Sequence, residues 1–333
     1  MAFNVTSNTT LNQEVTGSTV TWDVVDASLI AFGVIGILGN ATVCLVFLGL
    51  RRLRKIVTNY FIISLAMADL MASLTLVSQR ALLMLPVPPG VGGILFCKFI
   101  YSEVFFWISV AASTFNLVGV TLERYLAIVY PFRYQAYFSA EKAIIIIVLS
   151  WSFSLCLQIF SFVIYDYDGE YCTIYWSTAT GAAVNCLVWF MCTYIAPLCF
   201  MTYAYLRIIS SLKRDTSNLQ RSTDVNKERD LEMLVARRRV IKMLCIVVVT
   251  FFVCWTPSQI MFLASFGFGA PIYQEDAVYR VFTVLAFSNS CINPFIYALR
   301  NRQFRDGFLV LFCRKDNKVS PFNSTHAHHS SND

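Results

Sequence analysis

Ionisable and polar side chains that fall inside long apolar runs are the residues here with chemistry to explain. Asp69, in Leu65-Ala-Met-Ala-Asp69, is the only charge between Ile56 and Gln79, and Glu103 is the only one between Phe99 and Leu122. A charge at the centre of a bilayer costs roughly 2.5–3.5 kcal/mol on insertion scales, so it persists where it has a partner or a task. Ser109, Ser113 and the run Asn289-Ser-Cys-Ile-Asn293-Pro294-Phe-Ile-Tyr297 carry polar groups that could surround Asp69 as a small water- or cation-filled cavity. A neutral, hydrogen-bonded Asp69 that only ties helices together is the alternative. Glu123-Arg124-Tyr125 sets an acid beside a base at the end of an apolar run, which suits a charge paired in one state and released in another. Classical enzyme chemistry lacks its parts. The histidines (His326, His328, His329) all fall in the last residues, and no Gly-x-Ser-x-Gly occurs.

The elements that must position these groups are membrane spans. Hydrophobic residues make up 57% of the 333 residues and charged ones 14%, with a mean hydropathy of +0.60, against roughly 25% charge in soluble domains. That balance excludes disorder, nucleic-acid binding by a basic surface, and most cytosolic enzymes. Nearly charge-free stretches run over 27–50, 56–79, 99–122, 143–165, 171–206, 243–274 and 281–299. Each reaches the length a spanning helix needs, about 20 residues. Seven spans place the termini on opposite faces. All Lys and Arg except Arg80, Lys98 and Arg280 fall on one side, which the positive-inside rule makes cytosolic. The expected arrangement is an extracellular tail (1–26), a seven-helix domain with an eighth amphipathic helix (27–313) and a cytoplasmic tail (314–333). The first span is expected to act as signal-anchor. Asn4-Val-Thr and Asn8-Thr-Thr then become glycosylation acceptors, while topology excludes Asn40 and Asn323. Of the 11 cysteines, only Cys97 and Cys172 face the oxidising side, so a structural disulfide has that pairing available; two free thiols are the alternative. Ser210 to Glu232, hydrophilic and mixed in charge, is the expected flexible segment, together with the tail after Lys315.

Pro257 and Pro294 each remove a backbone donor within a span and favour a kink. Trp255, two residues before Pro257, places a bulky ring near that bend. Taken together, the chain resembles the rhodopsin-like (class A) G-protein-coupled receptors, most of all the peptide-receptor subgroup. The matching residues are Gly39-Asn40 with Val43, Leu65-Ala-Met-Ala-Asp69, Cys97, Glu123-Arg124-Tyr125, Trp151, Pro197 with Tyr205, Cys254-Trp255-Thr256-Pro257 and Asn293-Pro294-Phe-Ile-Tyr297. Phe304-Arg305 opens a short amphipathic stretch ending at Cys313, similar to the family's eighth helix and its palmitoylated cysteine.

The resemblance implies an all-α membrane fold and a switch. A ligand binds among the outer halves of the helices, and Trp255 with the Pro257 bend relays this to an outward swing of span six. Arg124, freed from Glu123, then meets Tyr205 and Tyr297 and helps form a groove for a heterotrimeric G protein. Asp69, Ser113, Asn289 and Asn293 match the family's allosteric sodium pocket; no other metal or cofactor is implied. Arrestin, a receptor kinase and membrane lipids are the further partners, with Ser320, Ser324, Thr325, Ser330 and Ser331 available in the tail. Three departures stand out. Arg237 occupies the position where many members carry an acid that clasps the span-three arginine, so the closed-state clasp is in doubt. Cys97 lies 27 residues before Arg124, two more than the usual spacing, so the cysteine sits outside the regular helix or span three contains a bulge. Ser109 stands where many members carry Asn, which weakens the expected ion pocket.

Ligand classes can be narrowed. Val281 to Leu299 contains no lysine for retinal, the amine-binding aspartate of span three is replaced by Phe106, and the 26 residues ahead of span one are too few for a large folded ectodomain. Tyr165-Asp-Tyr-Asp168-Gly169-Glu-Tyr-Cys172 sets Asp-Gly between alternating tyrosines, a hairpin signal. A β-hairpin lid over an open mouth resembles peptide receptors. Asp166, Asp168 and Glu170 make the lid acidic, and Glu275 and Asp276 add to the rim; field focusing then favours cationic ligands, so a basic neuropeptide is expected. Helical spacing puts Glu103, Phe106, Val110 and Ser113 on one stripe of span three. Gln79, Gln259, Phe262, Asp276 and Arg280 are the other ligand-contact candidates, with Arg80 beside Gln79. The competing readings are a receptor of the same fold for a small non-peptide ligand and, more distantly, a transporter or channel, which would usually show repeated halves.

Overall fold

The computed structural model describes residues 24–83, 85–221, 227–267 and 277–313. Asn4, Asn8, Glu275, Asp276 and the tail serines lie outside the described residues. Seven helical stretches are long and apolar enough to cross a membrane. Span one is α1 (Val24–Gly49), followed by the short α2 (Arg51–Arg54). Span two is α3 (Val57–Leu82). Span three is compound: α4 (Val91–Phe96), a π-helical turn (Cys97–Tyr101) and α5 (Val104–Val129), followed by the short α6 (Pro131–Tyr137). Span four is α7 (Ala140–Gln158) continued by α8 (Ser161–Ile164). Strands β1 (Tyr165–Tyr167) and β2 (Cys172–Ile174) follow. Span five is α9 (Ala179–Phe190), a π turn (Met191–Ile195) and α10 (Ala196–Arg221). Span six is α11 (Lys227–Phe262) with a terminal π turn (Leu263–Gly267), and span seven is α12 (Ala277–Arg300). An eighth, amphipathic helix closes the order, α13 (Arg302–Phe312).

The chain is a multi-pass membrane protein. At about 1.5 Å per residue a 26-residue helix is about 39 Å long, beyond the roughly 30 Å apolar core, so its ends reach the headgroup zone or it tilts. Leu38, Val163 and Ile145 are each more than half exposed; such apolar surface belongs against lipid rather than water. Inside, the bundle closes by small residues and polar ties. A Cβ on Gly39 would come within 2.8 Å of the Pro294 ring, so glycine there lets α1 lie against Pro294 of α12. Asn40 donates to the Ser290 carbonyl at 2.7 Å, pinning the same two helices. The Trp151 indole donates to Ser64 Oγ at 3.0 Å, tying α7 to α3. At the far end, Asn301 caps α13 by accepting from the Phe304 amide at 3.1 Å, and Phe304 packs on Phe47 of α1.

Two sequence expectations change. Ser210 to Glu232 is helical wherever it is described, because α10 and α11 continue beyond the apolar stretches. Span three contains a bulge, as the Cys97 spacing leads one to expect; what changes is the place of Glu103. The extra two residues between Cys97 and Arg124 are taken up by the π turn and by Glu103, the one non-glycine residue with positive φ (55°) among those described. Glu103 therefore precedes α5 rather than sharing the helical stripe of Phe106, Val110 and Ser113.

Candidate functional site

Polar groups collect at three depths along the bundle axis. At the end nearest α6, Glu123 is fully buried and accepts from four donors. The Arg124 guanidinium binds both its oxygens, Thr58 Oγ1 donates to Oε2 at 3.2 Å, and the Tyr134 hydroxyl donates to Oε1 at 2.7 Å. Arg124 also donates to Thr58. Burial, and then the Glu123 carboxylate beside it, push the Tyr134 phenol above its ordinary pKa, so it stays protonated and able to donate. Arg237, Arg238 and Arg239 of α11 are exposed, and Arg238 is tied to Thr216 of α10. The lock on Arg124 is thus built from α3, α5 and α6 without α11. Tyr125 points elsewhere, against Tyr130 and Tyr203.

At mid-depth Asp69 is 1% exposed and accepts from Asn293 Nδ2 at 2.7 Å and Ser113 Oγ at 3.3 Å. Asn289 is buried on the same helix as Asn293. Ser109 donates to the Phe105 carbonyl at 2.6 Å, within its own helix. Above the carboxylate, Trp255 sits against Trp107 (6.2 Å between centroids) and Phe251, while Phe106 stacks on Phe287 at 4.5 Å. Pro257 and Pro294 lie within α11 and α12. Buried polar atoms without a partner among the described residues run from here toward Arg124: Trp255 Nε1, Asn293 Oδ1, Tyr297 Oη and Tyr205 Oη, the last within electrostatic range of Arg124. The Tyr205 hydroxyl approaches Thr121 without forming a hydrogen bond of regular geometry. Since more than about nine in ten buried polar groups are paired, such a cluster marks groups that find partners in another arrangement or with water.

At the hairpin end, Cys97 and Cys172 form a disulfide with Cα atoms 5.3 Å apart, fastening β2 to the π turn of span three. The strands pair Tyr165 with Ile174 and Tyr167 with Cys172. The connection is a four-residue loop rather than a two-residue Asp-Gly turn: Asp168 Oδ1 accepts from the amides of Glu170 (2.9 Å) and Tyr171 (2.7 Å), and Gly169 takes a φ of 108°. Those amides hold the Asp168 carboxyl below its ordinary pKa. Below the hairpin, Gln79 Nε2 donates to Glu103 Oε1 at 2.7 Å, and Arg80 is ion-paired with Asp26 of α1 at 3.3 Å. Gln259 is buried with its Oε1 unpartnered, Phe262 ends α11, and Arg280 sits half-buried in the first turn of α12.

The structure therefore brings together Glu123 with Arg124, Asp69 with Ser113 and Asn293, Gln79 with Glu103, and Cys97 with Cys172. It separates Tyr125 from the lock and places Phe106 deeper than Glu103. Sequence reasoning missed Thr58 and Tyr134 at the lock. Tyr134 stands just after Pro131, which starts α6 at its first turn; a helix-start proline after an Arg-bearing span was the available signal.

Comparison with known proteins agrees with this layout. The family model described as 7 transmembrane receptor (rhodopsin family) matches residues 39–297. Galanin receptor 2a of Danio rerio is 31% identical over 291 residues, covering 86% of this chain and 77% of the relative. The substance-K receptor of Mus musculus is 30% identical over 299 residues, covering 85% and 73%. The RYamide receptor of Drosophila melanogaster is 29% identical over 299 residues, covering 84% and 61%.

Proposed function

The chain belongs to the rhodopsin family of seven-transmembrane receptors, and we propose that a basic peptide, received at the hairpin end, is its ligand. The observation that carries this reading is the disulfide-fastened hairpin beside the Glu103 basin. Asp166, Asp168 and Glu170 supply negative charge there, and Tyr165 to Cys172 contains no Lys or Arg. A two-stranded edge of that kind offers main-chain groups to an extended ligand as well as a field that draws cations. The similarity to receptors named for galanin, substance K and RYamide supports a peptide.

In this proposal the hairpin end is extracellular and the Arg124 end faces the cytosol of a plasma-membrane receptor. The distribution of Lys and Arg supports that orientation. Peptide binding shifts Trp255, and α11 pivots at Pro257 so that its Arg237 end moves away from α5. Arg124 then exchanges Glu123 for the unpartnered hydroxyls of Tyr205 and Tyr297, and the cleft admits a heterotrimeric G protein. Asp69, Ser113, Asn289 and Asn293 would hold a sodium ion. Their oxygen donors, with Asn293 Oδ1 unpartnered, suit a hard cation, and such an ion would place positive charge against the buried carboxylate. Receptor kinase and arrestin acting on the tail, a lipid on the exposed Cys313, and glycans on Asn4 and Asn8 complete the assignment.

The test is a screen of synthetic basic, neutral and acidic peptides, and of a small-molecule set, on cells expressing the chain, read by several G-protein biosensors. Activation by basic peptides is the expected result. Activation by small non-peptide ligands alone would overturn the peptide assignment, and ligand-independent solute flux in proteoliposomes with no G-protein response would overturn the signalling role.

A further inference from the structure

Glu103 is held in place at some cost. Its backbone occupies the left-handed region (φ 55°, ψ 22°), a strained conformation for a non-glycine residue that clusters at ligand clamps. The break between the π turn and α5 sets its carboxylate under the hairpin. There it is half-buried, accepts one hydrogen bond from Gln79 at 2.7 Å, and interacts with the Trp107 indole. The phenols of Tyr101, Tyr165 and Tyr279 lie within electrostatic range of it. Tyr101 and Tyr165 meet edge to face with centroids 6.1 Å apart.

The carboxylate has no cation in direct contact. Among the described residues it forms no ion pair. Arg80 lies within electrostatic range of it but spends its ion pair on Asp26 at 3.3 Å, and Lys98 donates to the Phe162 carbonyl at 2.8 Å. A partly desolvated carboxylate whose nearest cation is paired to another acid is costly. Its aromatic surround offers ring faces of the kind that bind cations. A guanidinium fits this setting better than an ammonium, because it is planar, stacks on rings and is weakly hydrated. Gln79 leaves one carboxylate oxygen free of its amide, enough for a charge-assisted hydrogen bond.

We infer that Glu103, framed by Gln79, Tyr101, Tyr165, Tyr279 and Trp107, is a guanidinium subsite that receives an arginine side chain of the ligand. This rests on the peptide reading above and names the chemistry of one contact within it. The subsite exists because span three carries two extra residues, whose π turn and left-handed step aim a carboxylate at the mouth.

The experiment is a double-substitution cycle on the full-length receptor in cells. Each activating basic peptide is remade with citrulline, neutral and nearly isosteric, in place of each arginine in turn. At one arginine position the exchange should lower potency at least about 30-fold on the wild-type receptor, the lower bound for losing one partner of a buried charge pair. On Glu103→Gln the same exchange should change potency less than about 3-fold, since the charge it addresses is gone. Surface expression of Glu103→Gln is read in parallel. Glu103→Arg with a glutamate-bearing peptide provides the reversed pair, in which recovered potency supports the subsite even where Glu103→Gln expresses poorly. Equal losses on both receptors overturn the subsite and leave the basic-peptide reading standing, whereas activation by neutral peptides alone overturns the subsite and the basic character of the ligand together. Failure of every peptide removes both.

Discussion

Glu123 shows how much of a receptor's resting state can depend on single donors. It is fully buried and its charge is matched by Arg124, with Thr58 and Tyr134 satisfying further lone pairs. Removing one donor to a buried carboxylate costs about 1.5–3 kcal/mol. If that bond exists only in the resting state, Tyr134→Phe shifts the balance between locked and released Arg124 by roughly ten-fold or more. Basal nucleotide exchange per surface receptor should rise accordingly, with agonist-stimulated output little changed; an unaltered basal rate would remove Tyr134 from the lock. Thr58→Val should act in the same direction. The Glu-Arg pair itself was legible from adjacency and depth. The absence of an acid at Arg237 put the span-six clasp in doubt, and Arg237 is exposed; Thr58 and Tyr134 hold the Glu123–Arg124 pair instead. That substitution could not be read from the sequence, because it depends on where a seven-residue helix after Pro131 turns its tyrosine.

Among the elements, the hairpin and the proline-bent helix make separate claims. The Asp-Gly signal located the strands correctly because alternation and turn chemistry are local. The loop came out longer because Asp168 caps two amides and so closes four residues rather than two. The same logic explains span three: a two-residue excess was visible in the spacing, whereas its resolution into a π turn plus a left-handed Glu103 is a tertiary compromise between the disulfide and the α5 register. Asp168 gives a pH prediction. Its folded pKa is depressed, so its contribution to hairpin order is fully present above the ordinary carboxylate value of about 3.9 and fades as pH falls through the lower folded value. Amide exchange at Glu170 and Tyr171, corrected for intrinsic rates, should therefore show constant protection from pH 8 to pH 5 and a loss at lower pH. Asp168→Asn should abolish that acid step; an unchanged profile would exclude the cap. For α11, Pro257→Ala restores a backbone donor and straightens the bend. Agonist affinity should change little while maximal G-protein response falls several-fold. A full response from the alanine variant would show that the bend is static.

At the scale of the whole molecule the three polar depths act as one device only if they are energetically coupled, and coupling is reciprocal. Asp69 and Asn293 join α3 to α12 at mid-bundle, and Tyr297 is fully buried one turn beyond Asn293 on α12. A cation that favours this arrangement must oppose whatever separates α11 from α10, where Arg238 now meets Thr216. Sodium should thus lower agonist affinity, and agonist should lower sodium affinity by the same factor, typically 5- to 150-fold. Two measurements check this on one purified receptor. Agonist binding across a sodium series, with choline replacing the cation at constant ionic strength, gives the coupling factor. A bimane on Arg238→Cys, quenched by a tryptophan at Thr216→Trp, reports the α11 tip. Agonist with a nucleotide-free G protein should relieve the quenching, and sodium should restore it in proportion to that factor. In Asp69→Asn both sodium responses should vanish while agonist alone still relieves the quenching. If the tip responds to sodium as before in that variant, the cation acts elsewhere and Asp69 is a structural tie between helices.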